Sequence, residues 1–111
     1  LVHDQTGAHG MGVTHWVGYG IPAATSELRE GALDAADEGM FVGGTNRIGK
    51  STWFGPCPDV GDVPHHYVFT LIATDLVPDA LEPGLDREGL LSALEGHALG
   101  ATGFVVRYAR D

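Results

Sequence analysis

Residues 13–21 alternate without a break. Val13, His15, Val17, Tyr19 and Ile21 fall on one face, and Thr14, Trp16, Gly18 and Gly20 on the other. Period two with β-branched and aromatic residues predicts a strand, and Pro22 ends it. Residues 65–77 repeat the pattern. His65, Tyr67, Phe69, Leu71 and Ala73 point one way, and His66, Val68, Thr70, Ile72 and Thr74 the other. The period changes over 86–99. There Leu90, Leu91, Leu94 and Ala98 form a helical stripe behind Asp86 as N-cap, with Gly100 as the stop. Phe104, Val105, Val106 and Tyr108 predict a last strand, and Leu1-Val2 reads as the tail of another.

Between these elements lie two long connections. Residues 23–42 are mixed and acidic, with Glu27, Glu30, Asp34, Asp37 and Glu38, and read as loop with at most a short strand or turn. Residues 43–64 hold Gly43, Gly44, Gly49, Gly55 and Gly61 with Pro56, Pro58 and Pro64. A loop of that length in a compact domain is usually functional. No internal repeat or linker divides the chain, so residues 1–111 are expected to form one domain. Its start at Leu1-Val2 suggests a fragment or a processed chain.

Composition narrows the class. A chain of 111 residues can bury roughly two-thirds of its unfolded surface. Hydrophobic residues are 43% and Gly is 17 of 111, which suits a loop-rich β protein and no collagen-like period. The net charge of −9 repels nucleic acid and anionic membrane surfaces, so neither is an expected partner. Any anion site must be built locally from donors. Cys57 is the lone cysteine, which excludes an internal disulfide and favours a cytoplasmic location, with a periplasmic or secreted one as the alternative. No apolar run is long enough to span a bilayer.

The candidate chemistry sits where the long loop enters the second strand. Trp53-Phe-Gly-Pro-Cys-Pro-Asp-Val-Gly-Asp-Val-Pro64 runs into His65-His66-Tyr67. Tight turns cluster backbone N–H groups, and the strand start adds imidazole and phenol, a set that suits an anion. His15 and His65 share the inward faces of their strands, so laying the strands side by side brings both into one pocket. Asp4 is the candidate third member, raising the imidazole pKa and fixing its tautomer. His97 reads as structural near the helix end, His3 and His9 as solvated loop residues, and Cys57 as structural. Trp53 is either a pocket wall or a loop aromatic packed on the sheet.

These residues resemble the phosphatidylethanolamine-binding protein family, in particular its bacterial Raf-kinase-inhibitor-like branch. The matching pieces are Val13-Thr-His-Trp-Val17 with Tyr19-Gly-Ile-Pro22, Gly44-Thr-Asn-Arg-Ile-Gly49, Gly55-Pro-Cys-Pro58, His65-His-Tyr-Val-Phe-Thr-Leu71, Glu95-Gly-His-Ala-Leu99 and Arg107-Tyr-Ala-Arg110, in the family's order. The resemblance implies a mainly β, Greek-key β-sandwich with one or two short helices. It implies a small pocket for phosphate, a phosphorylated headgroup or a carboxylate ligand, built from Asp4, His15, Gly55, Pro56, Pro58, His65 and Tyr67, with no cofactor. Here Asp4-Gln-Thr-Gly-Ala8 replaces the family's Asp-Pro-Asp-Ala-Pro, so Thr6 stands in for a second carboxylate and joins Trp53 as a candidate wall. Arg47 stands where the bacterial branch commonly has an acidic residue. The family's N-terminal strands do not precede Leu1, so an associated N-terminal segment or a homodimer is expected to cover the sheet edges.

A non-enzymatic binding module, which by resemblance regulates or inhibits a protein partner such as a kinase or protease, is the reading these features favour. The first alternative is a small hydrolase using the His/Asp pocket. It lacks a Gly-x-Ser-x-Gly elbow, and Thr14 is the only hydroxyl beside either histidine. The second is a metal protein using His15, His65 and His66. Adjacent His65 and His66 point to opposite faces, so no metal ligand set is assigned.

Overall fold

The computed structural model describes residues 1–34 and 40–111; Asp37 and Glu38 of the acidic connection lie outside the described residues. The fold is mainly β. Strand β1 (Val2–Asp4) lies between β2 (Val13–Trp16) and β5 (His65–Thr74), and β6 (Ala98–Tyr108) pairs with the far side of β5. The resulting sheet has the order β2-β1-β5-β6, with every pairing antiparallel. A second, two-stranded sheet joins β3 (Gly18–Tyr19) to β4 (Val42–Gly43). One short 3-10 turn, Ala32–Asp34, and one helix, α1 (Arg87–Ala93), complete the described elements.

The strand predicted over 13–21 divides at Val17. The chain there passes from one sheet to the other, and the Val17 carbonyl accepts a hydrogen bond from Gly44 N at 2.8 Å. Gly18 permits the crossing because the Trp16 indole lies over it. A Cβ at Gly18 would meet the ring at 2.3 Å. The alternation also put Trp16 on the face opposite His15, yet both are buried. Each face of this segment is covered, so alternation separates two cores here and not core from solvent.

Those cores are distinct. Val2, Trp16, Phe41 and Tyr67 form the first, with Trp53 and Phe69 packed against it. Val17, Tyr19, Leu90 and Leu94 form the second, with Ile72 at its margin. Strand β5 serves both: Tyr67 and Phe69 on one face meet the first, and Ile72 on the other face meets the second. Burying one side chain of the size of Val2 contributes about 2 kcal/mol.

The helix is shorter than its stripe implied. Asp86 caps it as expected, its carboxylate accepting from Gly89 N at 2.7 Å. It ends at Leu94, well before Gly100, and the positive φ falls on Gly96 (81°). Strand β6 then begins at Ala98, so Gly100 lies in a strand. Asp75 N donates to the His97 carbonyl at 3.1 Å, drawing the chain onto β5. A ladder running from His65↔Tyr108 to Thr74↔Ala98 outweighs helix propensity in Ala98 and Leu99. His3, expected in a loop, lies in β1 and bonds Thr14 Oγ1 across the strand pair at 2.9 Å.

All of β6 is exposed. Leu71, Phe104, Val106 and Tyr108 are exposed apolar residues, and the β5–β6 register places them on the same face as Tyr67 and Phe69. Among the described residues, β2 and β6 form the edges of the larger sheet.

Candidate functional site

Strands β2, β1 and β5 are neighbours, and each brings one polar residue to the same end of the sheet. His15 comes from β2, Asp4 from the last position of β1, and His65 from the first position of β5. All three are buried, as is Tyr67. His65 Nδ1 lies 2.6 Å from Asp4 Oδ2. Asp4 Oδ1 accepts from the backbone N–H of Thr6 at 3.0 Å and from its hydroxyl at 2.9 Å. Thr6 is itself exposed. Thr6, a candidate wall residue, orients Asp4 through these two bonds.

The departure at residues 4–8 still delivers Asp4. Gly7 packs so closely that an added Cβ would meet Val13 Cγ2 at 2.7 Å and Asp4 Oδ2 at 3.0 Å. The missing prolines are compensated by a tight turn closed by Gly12 N to Gly7 O at 2.9 Å.

His15 is held differently. Its Nδ1–H donates to the Phe54 carbonyl at 2.8 Å. A carbonyl can only accept, so the proton on Nδ1 is fixed. The ring stacks on Phe54 and Trp53 and meets Tyr67 edge-on, with centroids 5.0, 6.1 and 5.0 Å away. Among the described residues, His15 Nε2 is buried without a partner. The glycine-proline loop forms the cover. Gly55 has φ +87°, and a Cβ there would lie 2.7 Å from His15 Nδ1, so only glycine fits. Its carbonyl accepts from Trp53 Nε1. The Trp53 ring also stacks on Phe69, so it is both a wall beside His15 and a packed loop aromatic. Pro56 follows Gly55 through a cis peptide. Pro58 is buried, Cys57 is exposed, and Arg110 Nη1 lies 2.9 Å from the Cys57 sulfur.

Two residues here escaped sequence reasoning. Asp62 Oδ2 lies 2.7 Å from His65 Nε2; its one signal is its position three residues before His65. Asn46 is buried and anchors the loop. Its amide donates to the Thr52 carbonyl at 2.7 Å, and its carbonyl accepts from Ile48 N and Lys50 N at 3.1 and 3.0 Å. Only its place in the Gly44–Gly49 motif hinted at that.

The electrostatics separate the two histidines. Hydrogen bonds to Asp62 and then Asp4 raise the His65 pKa above the ordinary imidazole value, against some desolvation. Burial pushes Asp4 up, but hydrogen bonds from His65 and Thr6 outweigh it and hold the carboxyl below the usual range. Asp62 is lowered chiefly by its bond to His65. Burial lowers His15 despite the Phe54 carbonyl, and burial raises Tyr67, with Asp4 adding to it. The imidazole that Asp4 touches is His65, whose two ring nitrogens each face a carboxylate oxygen and whose pKa rises; the His15 ring bonds a neutral carbonyl and its pKa falls.

The sequence profile of the phosphatidylethanolamine-binding protein family matches residues 2–109. The chain belongs to that family. A UPF0098 protein of Methanothermobacter thermautotrophicus is 40% identical over 99% of this chain and 72% of its own length. One from Aquifex aeolicus is 32% identical over 100% of this chain and 65% of its own. Among solved structures, Escherichia coli YbcL, described as a member of the mammalian PEBP family, superposes with a TM-score of 0.84 at 24% identity, covering 99% of this chain and 69% of that one. A Chlamydia trachomatis PEBP homolog gives 0.82 at 30%, with the same coverages. The chain thus spans about two-thirds of the length of these relatives, and it aligns with the bacterial branch of the family.

Within this PEBP chain, the candidate residues divide by chemistry. His65 offers its two N–H groups to two carboxylates, and the His15 ring, 5.0 Å from the Tyr67 ring, keeps an unshared lone pair on Nε2 that becomes a donor once protonated. Among the described residues, no group of three or more His, Cys, Asp or Glu side chains is disposed to hold a metal ion.

Proposed function

We propose that this PEBP-family chain is a non-enzymatic binding protein, one domain over residues 1–111, whose Asp4/His15/His65/Tyr67 crevice takes a small anion: phosphate, a phosphorylated headgroup or a carboxylate. The observation that carries this reading is the buried Nε2 of His15, without a partner among the described residues, on a ring that packs on Tyr67 as the His65 ring does. A buried polar atom without a partner costs about 1–3 kcal/mol, and a ligand oxygen removes that cost. A protonated ligand donates to Nε2; a fully ionised one draws a proton onto it. Gly55 supports the reading by letting the loop backbone pack against the Nδ1 edge of the His15 ring, which fixes the ring with Nε2 left over.

A hydrolase draws less support. Thr14, the hydroxyl next to His15 in sequence, bonds His3 instead. A regulatory protein partner belongs to the same reading, with the exposed stripe Leu71, Phe104, Val106 and Tyr108 as apolar surface continuous with the Tyr67 face.

The test is thermal unfolding with and without inorganic phosphate. Phosphate is expected to raise the melting temperature, and more near pH 6 than near pH 8, because both histidines gain protons toward the acid side. A melting temperature indifferent to phosphate at both pH values overturns the reading.

A further inference from the structure

His65 has two N–H donors, and both are occupied by carboxylates of the chain itself. The two bonds are nearly equal in length, 2.6 Å to Asp4 and 2.7 Å to Asp62, but their settings are unlike. The Asp4 side chain is 3% exposed and the Asp62 side chain 46%. Giving up the first bond would leave a carboxylate buried without its cation. Giving up the second returns a carboxylate to water by a side-chain rotation, a fast motion at an exposed site. The backbone need not move, since the loop is tied down on both sides of the carboxylate: Gly61 N donates to the Arg110 carbonyl at 3.0 Å, and Asp62 N to that of Asp59 at 3.2 Å.

We propose that Asp62 is the pocket's resident anion: its carboxylate occupies the Nε2 donor of His65 that a ligand oxygen needs, and a ligand binds by displacing it. The proposal rests on the anion-crevice reading and adds its regulation. Asp62 sets a threshold. With it in place, the Asp4–His65–Asp62 group carries a net charge of −1 in a chain of net charge −9. A weakly charged or poorly shaped anion does not dislodge it. A phosphate group does, since it has acceptor oxygens for His65 Nε2 and an O–H to give to His15 Nε2.

Calorimetric titration of inorganic phosphate into the whole chain and into its Asp62→Asn and Asp62→Ala variants, at about pH 6, tests this. Asp4 remains in place there to keep His65 protonated. Both variants are expected to bind phosphate roughly tenfold more tightly than the unaltered chain, since a competing charge within about 4 Å of the ligand is removed. Asp62→Ala is also expected to gain affinity for acetate, the small-molecule equivalent of the deleted carboxylate, in competition with phosphate. In ring-nitrogen NMR, phosphate should shift His65 Nε2 and leave Nδ1 on Asp4. If the unaltered chain binds phosphate and the variants bind it equally or more weakly, Asp62 orients His65 and the proposal fails alone. If no form binds phosphate, the proposal and the anion reading fail together.

Discussion

The β2 end and the β5 start of one sheet each carry a histidine that is almost fully buried, His15 at 4% and His65 at 8% exposure. Burial this similar leads to opposite charge states. At the β5 start, Asp4 and Asp62 each place an oxygen within 2.7 Å of the ring, and the imidazole pKa rises. At the β2 end, the nearest polar partner is a neutral carbonyl inside an aromatic cage, and the pKa falls. Desolvation alone always opposes the charged form; at His65 the hydrogen bonds to two carboxylates reverse the sign, and at His15 a single neutral carbonyl does not.

The largest effect that could break this comparison comes from replacing each ring by an apolar one. His65→Leu leaves Asp4 buried without its imidazolium and is expected to cost about 3 kcal/mol in urea unfolding. His15→Leu forfeits one neutral hydrogen bond and is expected to cost about 1 kcal/mol. Equal losses would show that the two sites do not differ in charge. Next in size is Gly55→Ala, expected to cost about 2 kcal/mol through its positive φ and its collision with the His15 ring. It should also abolish the phosphate-induced rise in melting temperature while leaving the His65 titration in place; a displaced His65 titration would mean the two halves are one unit. Trp53→Phe removes the indole bond to the Gly55 carbonyl and keeps the stack on Phe69. About 1 kcal/mol is expected, with the His15 resonances shifted and those of His65 unmoved.

The subtlest test is the pH dependence of stability. His65 binds its proton more tightly folded than unfolded. Its contribution is complete below the ordinary value of 6.5 and is lost as pH rises through the raised folded value. His15 has the reverse sign. Its lowered folded value makes its contribution complete above 6.5 and lost as pH falls toward that value. Asp4, held below 3.8, adds stability that persists above the ordinary carboxylate range and disappears on further acidification. Urea midpoints between about pH 5 and about pH 9 should fall on both sides of the imidazole range. His65→Leu should remove the alkaline decline and His15→Leu the mildly acid one. If either variant keeps the slope it is expected to lose, the assignment of that slope is wrong.

Much of the fold was legible because β5 alternates over its whole length and Asp86 is an unambiguous cap. The elements misjudged were those with competing signals. Ala98 continues a helical stripe yet pairs with Thr74 in β6, and Trp16 is buried although it lies on the face opposite His15. The site was legible in its types: Asp4, His15, Gly55, His65 and Tyr67 do converge. Its charges were not, because Asp62 and the Phe54 carbonyl carry no distinguishing pattern in the chain.

The amino-acid order by itself determined the strand periods, the net negative charge and membership of the PEBP family, since these depend on neighbours close in sequence, on composition or on motifs in a fixed order. Only the tertiary structure decided which imidazole is protonated. Counter-charge acts over a few ångströms in space, and Asp4 reaches His65 from 61 positions away along the chain.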